Sequence, residues 1–118
     1  MSLSRKVTRW HRMNDDPEKF PLGKPVLRHF AGMKICVIRT SKGIFAIQEK
    51  CPHNGFSLAL GNCSEDEGAI ICPLHRYQFD LTTGRARGGA AEAARVFPIE
   101  KREDGYYLGT EETEWGWF

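Results

Sequence analysis

Two short clusters in this 118-residue chain bring together side chains that bind metal: Cys51-Pro52-His53 and Cys72-Pro73-Leu74-His75. Each offers one soft thiolate and one imidazole nitrogen inside a tight loop. The pattern reads C-x-H, then 18 residues, then C-x-x-H. Two chemistries accept two sulfurs and two nitrogens. A tetrahedral zinc ion takes such a Cys2His2 set, although zinc loops usually pair cysteine with cysteine and histidine with histidine. A mixed-ligand iron–sulfur centre takes the same donors, and a loop that mixes the two residue types can give one ligand to each of two irons. Both cysteines precede proline, which lacks a backbone donor and biases the cysteine before it to an extended conformation. Gly55 lets backbone come close just after the first pair.

The elements that must hold these loops read as strands and turns. Residues Lys34 to Arg39 and Ile44 to Gln48 are apolar and β-branched and are joined by Thr40-Ser41-Lys42-Gly43, a hairpin loop of four residues. Ala69-Ile70-Ile71 is a short buried strand that delivers Cys72, and Tyr77 to Leu81 is another, closed by Thr82-Thr83-Gly84. Val96 to Glu103 turns through Asp104-Gly105 into Tyr106-Tyr107-Leu108. Helical signal is weak around Asp15 to Phe20, and Ala90 to Ala94, of helical composition but flanked by Gly88-Gly89, is too short to stand alone. The expectation is one all-β domain over residues 1–118. Its base strands lie at about 7–49 and 89–110, and a cluster-binding insertion lies at about 50–88.

Charge and composition bound the partners. A formal net charge of +2 gives no strong pull toward nucleic acid or a membrane surface. No window of about 20 apolar residues exists to span a bilayer. The start, MSLSRKVTRWHRMN, has no apolar core of the kind a secretory signal needs. The expectation is a cytoplasmic monomer with no nucleic-acid or membrane partner. Of the four cysteines, Cys36 and Cys63 lie outside the two clusters and read as inert thiols, the first buried and the second in a polar connector. His11 and His29 have no partner motif and read as surface or packing residues.

The stretch CPHNGFSLALGNCSEDEGAIICPLHRYQFDLTTG resembles the cluster-binding segment of Rieske ferredoxins, within a wider likeness over roughly residues 7–109. That resemblance implies the Rieske fold, three small antiparallel sheets with a [2Fe–2S] cluster at the tip of two facing loops. It implies that Cys51 and Cys72 bind an inner iron and that His53 and His75 bind an outer one. Two thiolates with two neutral imidazoles leave the oxidised unit near neutral, whereas four thiolates would make it an anion. The electron therefore enters more easily, at roughly −150 to +300 mV against about −400 mV for all-cysteine plant-type centres.

Departures from the high-potential members point to the low end of that range. Phe56 and Leu74 stand where those proteins carry a bridging cysteine pair. Tyr77 and Phe79 stand where they carry a serine and a tyrosine that donate to cluster sulfurs. With fewer donors the reduced state is less stabilised, and the expected midpoint is around −150 mV. Arg76 occupies a place where glycine is more common, and the shielding loop Gly88-Gly89-Ala90-Ala91 lacks the usual proline, which implies a looser cover.

The functional expectation is a soluble one-electron carrier, not itself an enzyme, that passes electrons from a reductase to an oxygenase or another terminal redox enzyme. An oxygenase catalytic chain would need a second, mononuclear iron site, for which only His11 and His29 remain. The small Rieske subunit of an assimilatory nitrite reductase is one alternative, and a zinc-binding interaction module is another. The cations Arg76, Arg85 and Arg87 read as a docking rim for an acidic redox partner or as ordinary solvated charge. The acidic run Glu65-Asp66-Glu67 reads as a solvated turn. The aromatics Trp115, Trp117 and Phe118 are expected to pack back on the domain or to meet another protein.

Overall fold

A computed structural model describes residues 3–88 and 92–116. Its strands, in chain order, are β1 (Leu3–Arg12), β2 (Val26–Phe30), β3 (Met33–Thr40), β4 (Gly43–Gln48), β5 (Asn62–Cys63), β6 (Ala69–Ile71), β7 (Gln78–Asp80), β8 (Val96–Phe97), β9 (Ile99–Arg102) and β10 (Gly105–Gly116). They form three antiparallel sheets, ordered β1-β10-β9, β2-β3-β4-β8 and β5-β6-β7. Single 3-10 turns at Pro17–Lys19 and Leu58–Leu60 complete the regular structure among the described residues. No helix among them is long and apolar enough to cross a membrane. The all-β expectation holds. The weak helical signal at Asp15 to Phe20 is one 3-10 turn, which Asp16 caps by accepting from the Glu18 amide.

Strand β3 explains its own sequence. It lies between β2 and β4, and Ile35, Cys36, Val37 and Ile38 are all fully buried. Alternate side chains of a strand point to opposite faces. Accordingly Ile35 and Val37 join Met13, Phe20, Ala46, Phe97 and Leu108 in one core. Cys36 and Ile38 join Ile47, Leu58, Ile70, Phe79 and both motif cysteines in the other. One wall thus serves two cores, so its apolar residues run on without polar interruption. The β3–β4 hairpin is tighter than expected. Thr40 pairs with Gly43, which leaves Ser41 and Lys42 as the turn.

Other segments depart from the sequence reading. The run from Val96 to Glu103 is split at Pro98: β8 pairs with β4, whereas β9 pairs with β10 in a different sheet. β10 continues through the acidic tail and pairs along β1 from Arg12↔Tyr107 to Leu3↔Gly116. The basic residues near the start face that tail, with Arg5–Glu114 at 2.9 Å, Lys6–Glu111 at 3.0 Å and Arg9–Glu112 at 2.6 Å. Exposed pairs of this kind are screened by water and add little to stability. The tail backbone therefore returns to the domain, but the Trp115 side chain stays 75% exposed. Trp117 and Phe118 lie outside the described residues, as do residues 89–91 of the shielding loop.

The run Glu65-Asp66-Glu67 is not merely a solvated turn. Glu67 accepts from the Ser41 amide at 2.7 Å and the Ser41 hydroxyl at 2.6 Å. Lys42 Nζ donates to the Asp66 carbonyl at 3.0 Å, and Arg87 Nη1 pairs with the Asp66 carboxylate at 3.0 Å. The tip of the β3–β4 hairpin is thereby fastened to the β5–β6 connection.

The two loops that carry the candidate ligands are built alike. Each has six residues and is closed by the amide of its cysteine donating to the carbonyl five residues on: Cys51 to Phe56 and Cys72 to Tyr77, both at 2.8 Å. The first loop follows β4, and its flanks meet in a Lys50↔Ser57 bridge. The second joins β6 to β7. At the fifth position of both loops the backbone is left-handed, with φ of +75° at Gly55 and +59° at Arg76. His75, just before Arg76, is also left-handed at +66°. Glycine adopts this conformation freely, whereas an L-residue is penalised by about 1–2 kcal/mol. Arg76 thus holds the place where glycine would be relaxed.

Two outcomes follow for stability. Hydrogen bonds from Ser41 hold the Glu67 carboxyl below its ordinary range. A depressed folded value stabilises above the ordinary carboxylate value of about 4.3 and ceases to do so as pH falls through the folded value. Glu67→Gln should therefore be less stable than the parent at neutral pH, and the gap should narrow progressively in denaturation curves taken as pH falls below about 4.3; a gap constant down to pH 3 argues against the clasp. Arg76→Gly should raise stability by about 0.5–1 kcal/mol, the relieved left-handed strain less the added freedom of the unfolded chain. A loss of stability on that change would show that the Arg76 side chain makes a compensating contact.

Candidate metal centre

The two loops place all four predicted ligands at one end of the molecule, and the fold sorts them by depth. Cys51 and Cys72 are 1% and 0% exposed, set among Cys36, Ile38, Leu58, Ile70 and Phe79. His53 and His75 are exposed. Their rings stand edge to face with centroids 6.3 Å apart. The sequence order decides this split. Each cysteine is the first residue of its loop, fixed at the strand end by the closing hydrogen bond, and each histidine lies two or three residues further out, on the turn itself.

Electrostatics show what the buried pair requires. Burial pushes the Cys51 thiol up, the amides of His53 and Asn54 partly offset this by donating to its sulfur, and the adjacent Cys72 raises it again. Two thiolates side by side in an apolar pocket need positive charge between them. A pair of ferric ions would supply that charge. The donors divide into an inner sulfur pair and an outer nitrogen pair, and that division fits a two-iron, two-sulfide group better than one tetrahedral zinc ion.

Neighbours that the sequence did not reveal surround these donors. The Tyr77 ring lies over the His53 imidazole with centroids 4.1 Å apart, so a residue of the second loop braces a histidine of the first. Asn54 places its side-chain nitrogen 3.9 Å from Cys72 Sγ. Phe79 is fully buried beneath the loops, whereas Phe56 and Leu74 flank them at 38% and 42% exposure. An Asn-Gly pair signals a turn in which asparagine bonds its own backbone; nothing in the sequence pointed that side chain at Cys72.

The remaining candidates fall elsewhere. None of the four cysteines forms a disulfide. Cys36 lies inside β3, where burial pushes its thiol up to about 12. Cys63 lies half-buried in β5, and burial raises it as well. His11 Nε2 is 2.8 Å from the Thr110 hydroxyl, in a packing role, and His29 is exposed on β2. Arg76 and Arg85 are exposed, but Arg87 is engaged by Asp66, which removes it from any docking rim.

Comparison with known proteins agrees with this geometry. Residues 11–99 match the family described as the Rieske [2Fe-2S] domain. A nitrite reductase [NAD(P)H] of Emericella nidulans is 30% identical over 80 residues, 62% of this chain and 7% of that protein. The ferredoxin component of an alkene monooxygenase system of Xanthobacter autotrophicus is 34% identical over 61 residues, 52% of this chain and 49% of that protein. The matches thus span less than two thirds of either relative. Among solved structures, the ferredoxin of carbazole 1,9a-dioxygenase from Nocardioides aromaticivorans superposes with a TM-score of 0.74 at 23% identity, covering 85% of this chain and 95% of that one. With its two six-residue loops and three small sheets, this chain belongs to the Rieske [2Fe-2S] domain family.

Proposed function

We propose that Cys51, His53, Cys72 and His75 hold a [2Fe–2S] cluster, the cysteines on the inner iron and the histidines on the outer one. The chain then acts as a one-electron carrier between a reductase and a terminal oxygenase or related redox enzyme. The observation that carries this reading is the depth split, with both sulfurs buried and both imidazoles at the surface of the same end. When bound, the cluster takes up and returns a single electron. The protein keeps water from the sulfurs with Leu58, Ile70 and Phe79, and braces His53 with Tyr77. Exposed Phe56 and Leu74 beside the histidines give a partner an apolar surface to close against, so that its own redox group can approach the imidazole edge. The ferredoxin component from Xanthobacter autotrophicus supports this role by its similarity.

The likeness to the Emericella nidulans nitrite reductase favours a second reading, a subunit of a nitrite-reducing complex. A carrier purifies alone and accepts electrons from a separate reductase. A subunit copurifies with a large flavin and sirohaem chain.

Redox titration of the purified protein tests the proposal. The expected result is a one-electron midpoint near the low end of the family range, around −150 mV; a value above roughly +100 mV contradicts the argument that missing sulfur donors lower the potential, and the lack of any one-electron wave contradicts the carrier reading. Cys51→Ser or Cys72→Ser should abolish cluster binding, read as loss of visible absorbance and bound iron. His53→Cys or His75→Cys, where a cluster assembles, should titrate lower, because a thiolate adds negative charge to the unit; a higher midpoint contradicts the ligand assignment.

A further inference from the structure

We propose that the Asn54 carboxamide is a hydrogen-bond donor to Cys72 Sγ that raises the cluster's midpoint potential from across the gap between the two loops. This inference rests on the ligand assignment made under Proposed function. Asn54 belongs to the first loop and Cys72 to the second, so the contact joins them directly, with Nδ2 3.9 Å from Sγ. That separation is at the long end for a donor to sulfur, so the orientation of the amide matters. Oxygen and nitrogen of an asparagine amide are interchangeable in shape, and their assignment follows from their partners. Here the partner is unambiguous. The Phe56 amide donates to Asn54 Oδ1 at 2.8 Å, and only oxygen can accept it. The oxygen is therefore held by the backbone of its own loop, and the nitrogen, with its two protons, is turned to the sulfur.

The left-handed residue that follows, Gly55, allows the tight turn that puts the amide there. The contact has an electronic consequence. A donor to a ligand sulfur stabilises whichever redox state carries more negative charge on that sulfur, which is the reduced state. Phe79, in β7 just after the second loop, has no hydroxyl for this purpose, and the Tyr77 ring lies over His53. Asn54 thus supplies from the opposite loop part of what the missing serine and tyrosine would have supplied. It is a positioning and potential-setting residue, and it binds no iron itself.

Two variants separate the donor from the turn. Asn54→Ser keeps a short oxygen that can accept from the Phe56 amide but cannot reach Cys72. Asn54→Asp keeps the acceptor and replaces the donor with a negative group. Midpoints should fall in the order parent, Asn54→Ser, Asn54→Asp. The first step should weaken reduction by up to about tenfold in equilibrium constant, equivalent to ~59 mV for one electron. A merely structural role would lower thermal stability and leave the midpoint in place, and an unmoved midpoint in Asn54→Ser overturns the proposal. Where neither variant assembles a cluster, reduced parent protein labelled with 15N-asparagine serves instead. Hyperfine coupling to a labelled side-chain nitrogen is the expected signature, and its absence overturns the proposal. Parent protein that binds no iron refutes the ligand assignment itself, a result distinct from either of these.

Discussion

The structure depends on placing two thiol groups side by side in an apolar pocket while keeping their loop-mates, two imidazoles, in contact with water. A thiolate pair in such a pocket is unfavourable by itself, and the exposed imidazoles alone would bind metal weakly. The arrangement becomes stable when a multiply charged group spans the boundary between the two environments, with sulfur on its inner side and nitrogen on its outer side. The same gradient that stabilises the group leaves its nitrogen side open to another protein.

That gradient is produced by the sheets. β3 presents Cys36 and Ile38 to the pocket and Ile35 and Val37 to the base core, so the floor of the site cannot shift without disturbing the rest of the domain. From this floor the two loops rise as near-equivalents, each closed by a cysteine amide bonded five residues ahead. Equal loop size sets the two sulfurs at the same depth. The bonds from Ser41 to Glu67 and from Lys42 to the Asp66 carbonyl tie the base hairpin to the sheet that carries the second loop. Gly84 plays a related part. Its backbone is left-handed at +77°, and a Cβ there would run into the Ala94 carbonyl, so the chain leaving β7 can pack against the Ala94 backbone only with glycine at this point.

The candidate donor residues could be picked out of the sequence because their spacing is local: a cysteine and a histidine within three or four residues must share a loop. Strands β3, β4, β6 and β7 were legible because their apolar runs are dense. What was not legible depends on partners distant in sequence. Glu67 looks like a surface acid until Ser41, 26 residues away, is placed beside it. The tail from Glu111 looks like a polar extension until β1 is laid alongside it. The break at Pro98 was readable in principle, since proline cannot donate to a ladder, but the surrounding Val96, Phe97 and Ile99 suggested one strand where there are two. Arg76 stood out as unusual in the motif, and the left-handed backbone at that position supplies the physical reason.

Mixed ligation is the centre of this account, and nitrogen hyperfine spectroscopy tests it most directly. Protein assembled anaerobically with iron and sulfide, labelled with 15N-histidine and reduced with dithionite, should show a paramagnetic signal coupled strongly to two histidine nitrogens. A reduced cluster with no histidine coupling, as when Cys36 and Cys63 are recruited to make four sulfur ligands, would contradict it.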